Sequence, residues 1–226
     1  MTRDADIPGL EAAQRTLGGA LLGPRELAAV LGFDPLRVLT ADERSAVGRL
    51  PFAPADLERA RANGEMLVLR LPRAPEGPLS ILALADRLGG IDPATHKGVG
   101  YSLRPEWTID GQPFAAEETC AAGWWLVRRE PARETLNRTY QAQDALLGPH
   151  APGRPHRRSA VEIAYDTLLW ERVHGERLLA KAWDWSRTVS LDQGYAALGE
   201  FGEQGLRLIA YSRAVRFGTL GVCVQR

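Results

Sequence analysis

The chain has 226 residues, 28 Lys and Arg against 28 Asp and Glu, and 45% hydrophobic residues. That length supports a buried core without metals or cross-links, and scattered charges that cancel exclude the field that draws in nucleic acid or an anionic membrane. Met1 to Pro8 carry no basic segment followed by an apolar one, and no stretch approaches the roughly 18 apolar residues of a membrane span, so a soluble, cytoplasmic protein with no membrane partner is expected.

The first fifty residues read as a helical N-terminal segment. Leu10, Ala13 and Leu17 share one helical face, and Gly18-Gly19 ends it. A second helix runs from Pro24, suited to a first turn, to Leu31, with Gly32 as its cap. Its Arg25 to Gly32 stretch has the look of the first helix of a helix-turn-helix, but no basic recognition helix follows, which leaves a packing helix. From residue 51 an α+β module is expected. Pro54 to Gly64 is a helix with Leu57 and Ala60 inward, Met66 to Leu71 a core strand, and Leu79 to Leu88 a buried helix closed by Gly89-Gly90.

From Tyr101 the period shifts toward two. Asp110-Gly111, between Trp107-Thr108-Ile109 and Pro113-Phe114, predicts a small hairpin. Gly123 to Val127 is the strongest strand signal. Leu136, Tyr140 and Leu147 follow at helical spacing, and a second helix starts at Ser159, which forms a capping box with Glu162 and presents Ala160, Ile163, Thr167 and Leu168 inward. Trp183–Leu191, Ala196–Phe201, Leu206–Tyr211 and Leu220–Val224 alternate as strands with glycine-containing turns. Trp183 and Trp185 point to one side, either into the core or, with Tyr195 or Tyr211, onto an aromatic surface.

Chemistry-bearing patterns are few. The four histidines show no metal-ligand spacing and there is no Cys-x-x-Cys, so no metal and no cofactor is expected. His174 stands near a helix C-terminus, where a cation complements the dipole. No serine elbow and no phosphate-binding loop occurs, and paired carboxylates such as Glu117-Glu118 or Asp184 with Asp192 are ordinary surface composition, so no catalytic residue is assigned. Arg154, His156, Arg157, Arg158 and Ser159 crowd a helix N-terminus. They read either as an anion site or as a solvated loop. Cys120 and Cys223, the two cysteines, read as free buried thiols, with a Cys120–Cys223 disulfide as the alternative.

Cys120-Ala-Ala-Gly-Trp-Trp-Leu126, two helices, and the closing Gly221-Val-Cys-Val-Gln-Arg226 resemble the bacterial C-type-lectin-like domains over about residues 100–226. A looser likeness, through Gly-Trp-x-Leu-x-Arg and Gly-Glu-Arg-Leu, is to a group of uncharacterised bacterial proteins and implies no activity. The lectin resemblance implies a mixed, mainly antiparallel sheet with two flanking helices, paired terminal strands with Cys120 facing Cys223, and an interaction surface after Trp183. That surface comprises Trp185, Arg187, Tyr195, Tyr211, Arg213 and Arg216. The calcium-binding triplets of C-type lectins are replaced by Glu130-Pro131-Ala132 and Trp183-Asp184-Trp185, which lack the needed oxygens. The expected function is a non-catalytic binding module for a protein or small ligand. The competing expectation is a small enzyme with its site between the N-terminal part and the C-terminal module.

Overall fold

A computed structural model describes residues 7–88, 101–102, 109, 111–149 and 154–226. The N-terminal part runs α1 (Leu10–Leu17), β1 (Leu21–Leu22), α2 (Pro24–Leu31), α3 (Ala41–Val47) and α4 (Pro54–Ala62). Leu10, Ala13 and Leu17 are buried, as their spacing requires. Gly32 closes α2 at φ 78°, a conformation that favours glycine. β2 (Glu65–Arg70), buried along its whole length, follows α4. A short β3–β4 hairpin (Arg73–Ala74, Gly77–Pro78) leads to α5 (Ile81–Leu88).

β5 (Tyr101–Ser102) precedes α6 (Pro113–Glu117). The hairpin expected around Asp110-Gly111 falls largely outside the described residues; within them, Pro113 and Phe114 are helical, with Pro113 at the first helical position. β6 (Gly123–Arg128) matches its signal. The helical spacing read from Leu136 becomes α7 (Tyr140–Leu147) only after Asn137, at φ 54°, has broken the path and the Thr139 hydroxyl has accepted the Ala142 N–H. α8 (Ala160–His174) opens on the expected Ser159–Glu162 box. β7 (Trp183–Val189), β8 (Tyr195–Gly202), β9 (Gly205–Tyr211) and β10 (Leu220–Gly221) complete an α+β architecture.

The strands form a three-stranded sheet, β1-β2-β6, and a five-stranded sheet, β10-β7-β8-β9-β5. β1/β2, β10/β7 and β5/β9 are parallel; β2/β6, β7/β8 and β8/β9 are antiparallel. β7 and β8 approach closely at Gly199, where a Cβ would lie 2.1 Å from the Ala182 carbonyl oxygen. α8 packs on both sheets: the Tyr165 hydroxyl donates to Leu69 O of β2 (3.2 Å), and β7 and β8 meet its other side. Residues 160–170 are therefore buried all round, where the sequence pattern gave only one inward face.

The C-terminal tail joins the two sheets. β10 pairs with β7, and the last residues then run antiparallel to β6: Leu126 and Arg226 exchange two backbone bonds of 3.0 Å, and Arg128 N–H donates to Val224 O (3.0 Å). On its other side Gln225 exchanges two 2.9 Å bonds with His156. The mid-chain tryptophan strand and the tail are thus neighbours. Both cysteines are buried and free, without a disulfide between them. Cys120 lies beside the charges of Arg70 and Glu162, Cys223 beside Asp184 and Arg158, and burial pushes both thiols well up. The segment expected over 1–50 and the module expected over 51–226 share one apolar core, from Ile7 to Cys223, and β1 pairs with β2 across that boundary.

Candidate functional site

Alternation along β7 sends Trp183 and Trp185 to one side of the five-stranded sheet and Asp184 to the other, toward α8. On the α8 side a buried ion network joins four parts of the chain. Asp166 accepts from Arg70 Nε (2.8 Å) and Nη2 (2.5 Å) and from Arg158 Nη1 (2.6 Å). Arg158 also donates to Asp184 Oδ2 from Nε (3.1 Å) and Nη2 (2.8 Å), and Asp184 Oδ1 accepts the Cys223 N–H (2.8 Å). Glu162 lies 3.2 Å from Arg70 Nη1 and 2.9 Å from Arg187 Nη1, and accepts the Ser159 N–H at 2.6 Å. Burial alone would raise Glu162, but Arg70, Arg187 and the Ser159 N–H overcome it and hold the carboxyl at about 2.

Gln225 closes the network from the tail. Its Oε1 accepts from Arg70 (2.5 Å) and its amide nitrogen donates to Glu162 (3.2 Å), which fixes the amide orientation. The same nitrogen lies 3.0 Å from His156 Nε2, so that ring nitrogen is the acceptor, and Nδ1 carries the proton toward Arg154 O (3.0 Å). Arg70, Arg158 and Arg187 match Glu162, Asp166 and Asp184 one for one, and each carboxylate and guanidinium has a partner. Such a cluster organises structure, since a buried charge left alone is costly.

The opposite face of the sheet is aromatic. Tyr140 of α7 packs edge-on to Trp185 (5.1 Å between centroids) and against Tyr195 (4.1 Å). The Arg213 guanidinium stacks on Tyr195 at 4.6 Å and donates to its hydroxyl. Beside them Trp183, Tyr211 and Phe217 follow edge to face at 5.9 and 5.4 Å, with Arg207 over Trp183 at 5.5 Å. Burial pushes the Tyr140 hydroxyl up to about 12, so it stays protonated and donates to Ser186 O (3.2 Å).

Of the six residues expected on the recognition surface, Tyr195, Tyr211 and Arg213 come together. Trp185 is fully buried and Tyr195 nearly so; both are floor, not contact surface. A register irregularity between Trp185 and Val189 turns Arg187 to the α8 side, onto Glu162, away from the aromatic group. Arg216 is exposed on the loop after β9. The expected anion site is already filled from within. Arg157 is 5% exposed and donates to Asp144, Gln143 and Trp185 O, Arg158 is spent on Asp166 and Asp184, Ser159 caps α8, and His156 holds Gln225. His174 lies against Trp170 at 4.1 Å, and burial lowers its pKa, opposing the cationic role read from its position. Asp184 belongs to the ion network, while Asp192 accepts from Ser190 (2.5 Å).

The sequence reading missed Arg70, Asp166, Tyr140, Arg207 and Phe217. A usable signal existed for the first two: an arginine inside the apolar run Met66–Leu71, and an acid four residues beyond Glu162 on an apolar helix. Among the described residues no cluster of acidic, histidine and cysteine side chains fits a metal, and no helix is long and apolar enough to cross a membrane. No family model, no curated protein and no solved structure matches the chain.

Proposed function

We propose that the protein is a non-catalytic binding module on a C-type-lectin-like scaffold, working without calcium and engaging its partner through the aromatic face and the loop after β9. The observation that carries this reading is the graded exposure of that face. Trp183 and Trp185 are its buried floor, Tyr211 is half-buried, Arg213 is exposed and Phe217 is 45% exposed. Aromatic and arginine side chains held rigid on a sheet yield much contact energy at little entropic cost. The scaffold reading draws support from the antiparallel pairing of β6 with the tail and from two helices preceding the run of antiparallel strands.

The enzyme reading has one observation in its favour: burial raises the pKa of Glu118 while arginines hold Glu162 low. Against it, Glu162 is fully engaged, and Glu118 accepts from Thr188 (3.0 Å). The test immobilises wild-type protein and a Tyr211→Ala/Arg213→Ala variant and passes host extract over both, with and without a calcium chelator. Wild type is expected to retain a partner in either buffer, and the variant to lose it while giving up no more than about 2 kcal/mol of stability. Equal retention by the two proteins, or retention abolished by the chelator, refutes the reading.

A further inference from the structure

A cavity of about 420 Å³ opens between the segment after β6, the α8–β7 connection and Gly218-Thr219. Its apolar lining includes Leu136, Leu178 and Leu179. Around them stand four cations, Arg129, Arg133, Arg177 and Lys181, against two carboxylates, Glu130 and Glu176. In a chain whose charges balance overall, this is a local excess of two positive charges.

None of the four cations has a carboxylate closer than 4.0 Å among the described residues. Arg129 donates to Gly64 O (3.1 Å) and lies over Trp170. Arg177 is 4.0 Å from Glu171, the outer limit of an ion pair, and lies over Phe201. Arg133 and Lys181 are exposed and have no carboxylate partner among the described residues. The wall is also preset. Leu179 is held at φ 60°, a strained position for a branched side chain, with its carbonyl accepting the N–H groups of Ala182 (3.3 Å) and Phe201 (3.4 Å). Ala182 O in turn accepts the Glu200 N–H (3.0 Å), so the loop is tied to β8.

We propose that this cleft binds a phosphomonoester whose carbon body packs on Leu136, Leu178 and Leu179. A phosphomonoester carries about −1.5 to −2 charges at neutral pH, which matches the excess. Guanidinium forks suit its oxygens, and an ammonium adds a point charge. The volume lies in the range of small-molecule sites, and bare phosphate leaves the apolar lining unused. The cleft adjoins the aromatic face through Gly218 and Thr219, which follow Phe217 in the loop after β9, but shares no aromatic residue with it, and neither proposal requires the other.

Isothermal titration with phenyl phosphate tests it, with inorganic phosphate and benzoate as comparators at matched ionic strength. Phenyl phosphate is expected to saturate one site and to bind more tightly than either comparator. Arg133→Ala and Lys181→Gln, both at exposed positions, should each weaken it about tenfold with melting temperature unchanged. The Tyr211→Ala/Arg213→Ala variant should bind it as wild type does, which separates this site from the partner surface. Absence of saturable binding to wild type, undiminished affinity in both cleft variants, or benzoate binding as tightly as phenyl phosphate overturns the proposal.

Discussion

The two faces of the five-stranded sheet are made by alternate residues of the same strands and obey different physics. Asp184 on one side is fixed by Arg158 and a tail N–H, inside a cluster with matched charges and few degrees of freedom. Trp183 on the other side meets rings and arginines that grade outward into solvent. The first arrangement tolerates no missing member, because the partner left behind is a buried charge. The second loses contact area piece by piece, which is what a surface that meets partners requires. The lesson is that buried charge in this protein marks the fold's fastening, and the half-exposed aromatics form the surface proposed to meet a partner.

The hardest blow to that contrast is Asp166→Ala, which leaves Arg70, Arg158 and Arg187 with only Glu162 and Asp184 between them, at sites where Arg70 and Arg158 are zero and 2% exposed. We expect a loss of about 3–5 kcal/mol in urea unfolding; a loss below about 1 kcal/mol, the level of a surface pair, breaks the distinction between the faces.

Acid sharpens it next. Glu162 has a folded pKa of about 2 against an ordinary 4.5, so its contribution is complete above 4.5 and fades as pH falls toward 2. Wild-type stability should decline through that window. Glu162→Gln should be weaker at neutral pH and flatter across the window, and identical acid dependence of the two proteins would remove Glu162 from the fastening. The smallest expected effect is Phe217→Ser, within about 0.5 kcal/mol of wild type because the ring is 45% exposed. A cost like that of Asp166→Ala would make the outer loop part of the core.

Much of the local structure was legible. Pro24 and Gly32 bracket α2, Ser159 and Glu162 start α8, and the alternation from Trp183 to Tyr211 gives β7 to β9, because each signal concerns residues a few positions apart. That the tryptophan strand and the tail are neighbours was implied only by the lectin resemblance, and it is Val224 to Arg226 that pair with β6, while Leu220–Gly221 pairs with β7. The site was not legible. Whether Arg157 faces an external anion or Asp144 depends on how α7 packs, and a single irregularity in β7 sends Arg187 to Glu162 instead of beside Tyr211.

By itself the sequence determined the caps, the strand alternation and the α+β class, all products of backbone preference and hydrophobic period acting over one or two turns. Tertiary structure alone decided that Arg70, separated from Asp166 by 96 positions and from Gln225 by 155, would find both in the core. It also decided that Trp185 would be floor instead of surface. Charge pairing and burial depend on distance in space, and no local pattern encodes which remote segment will supply the partner.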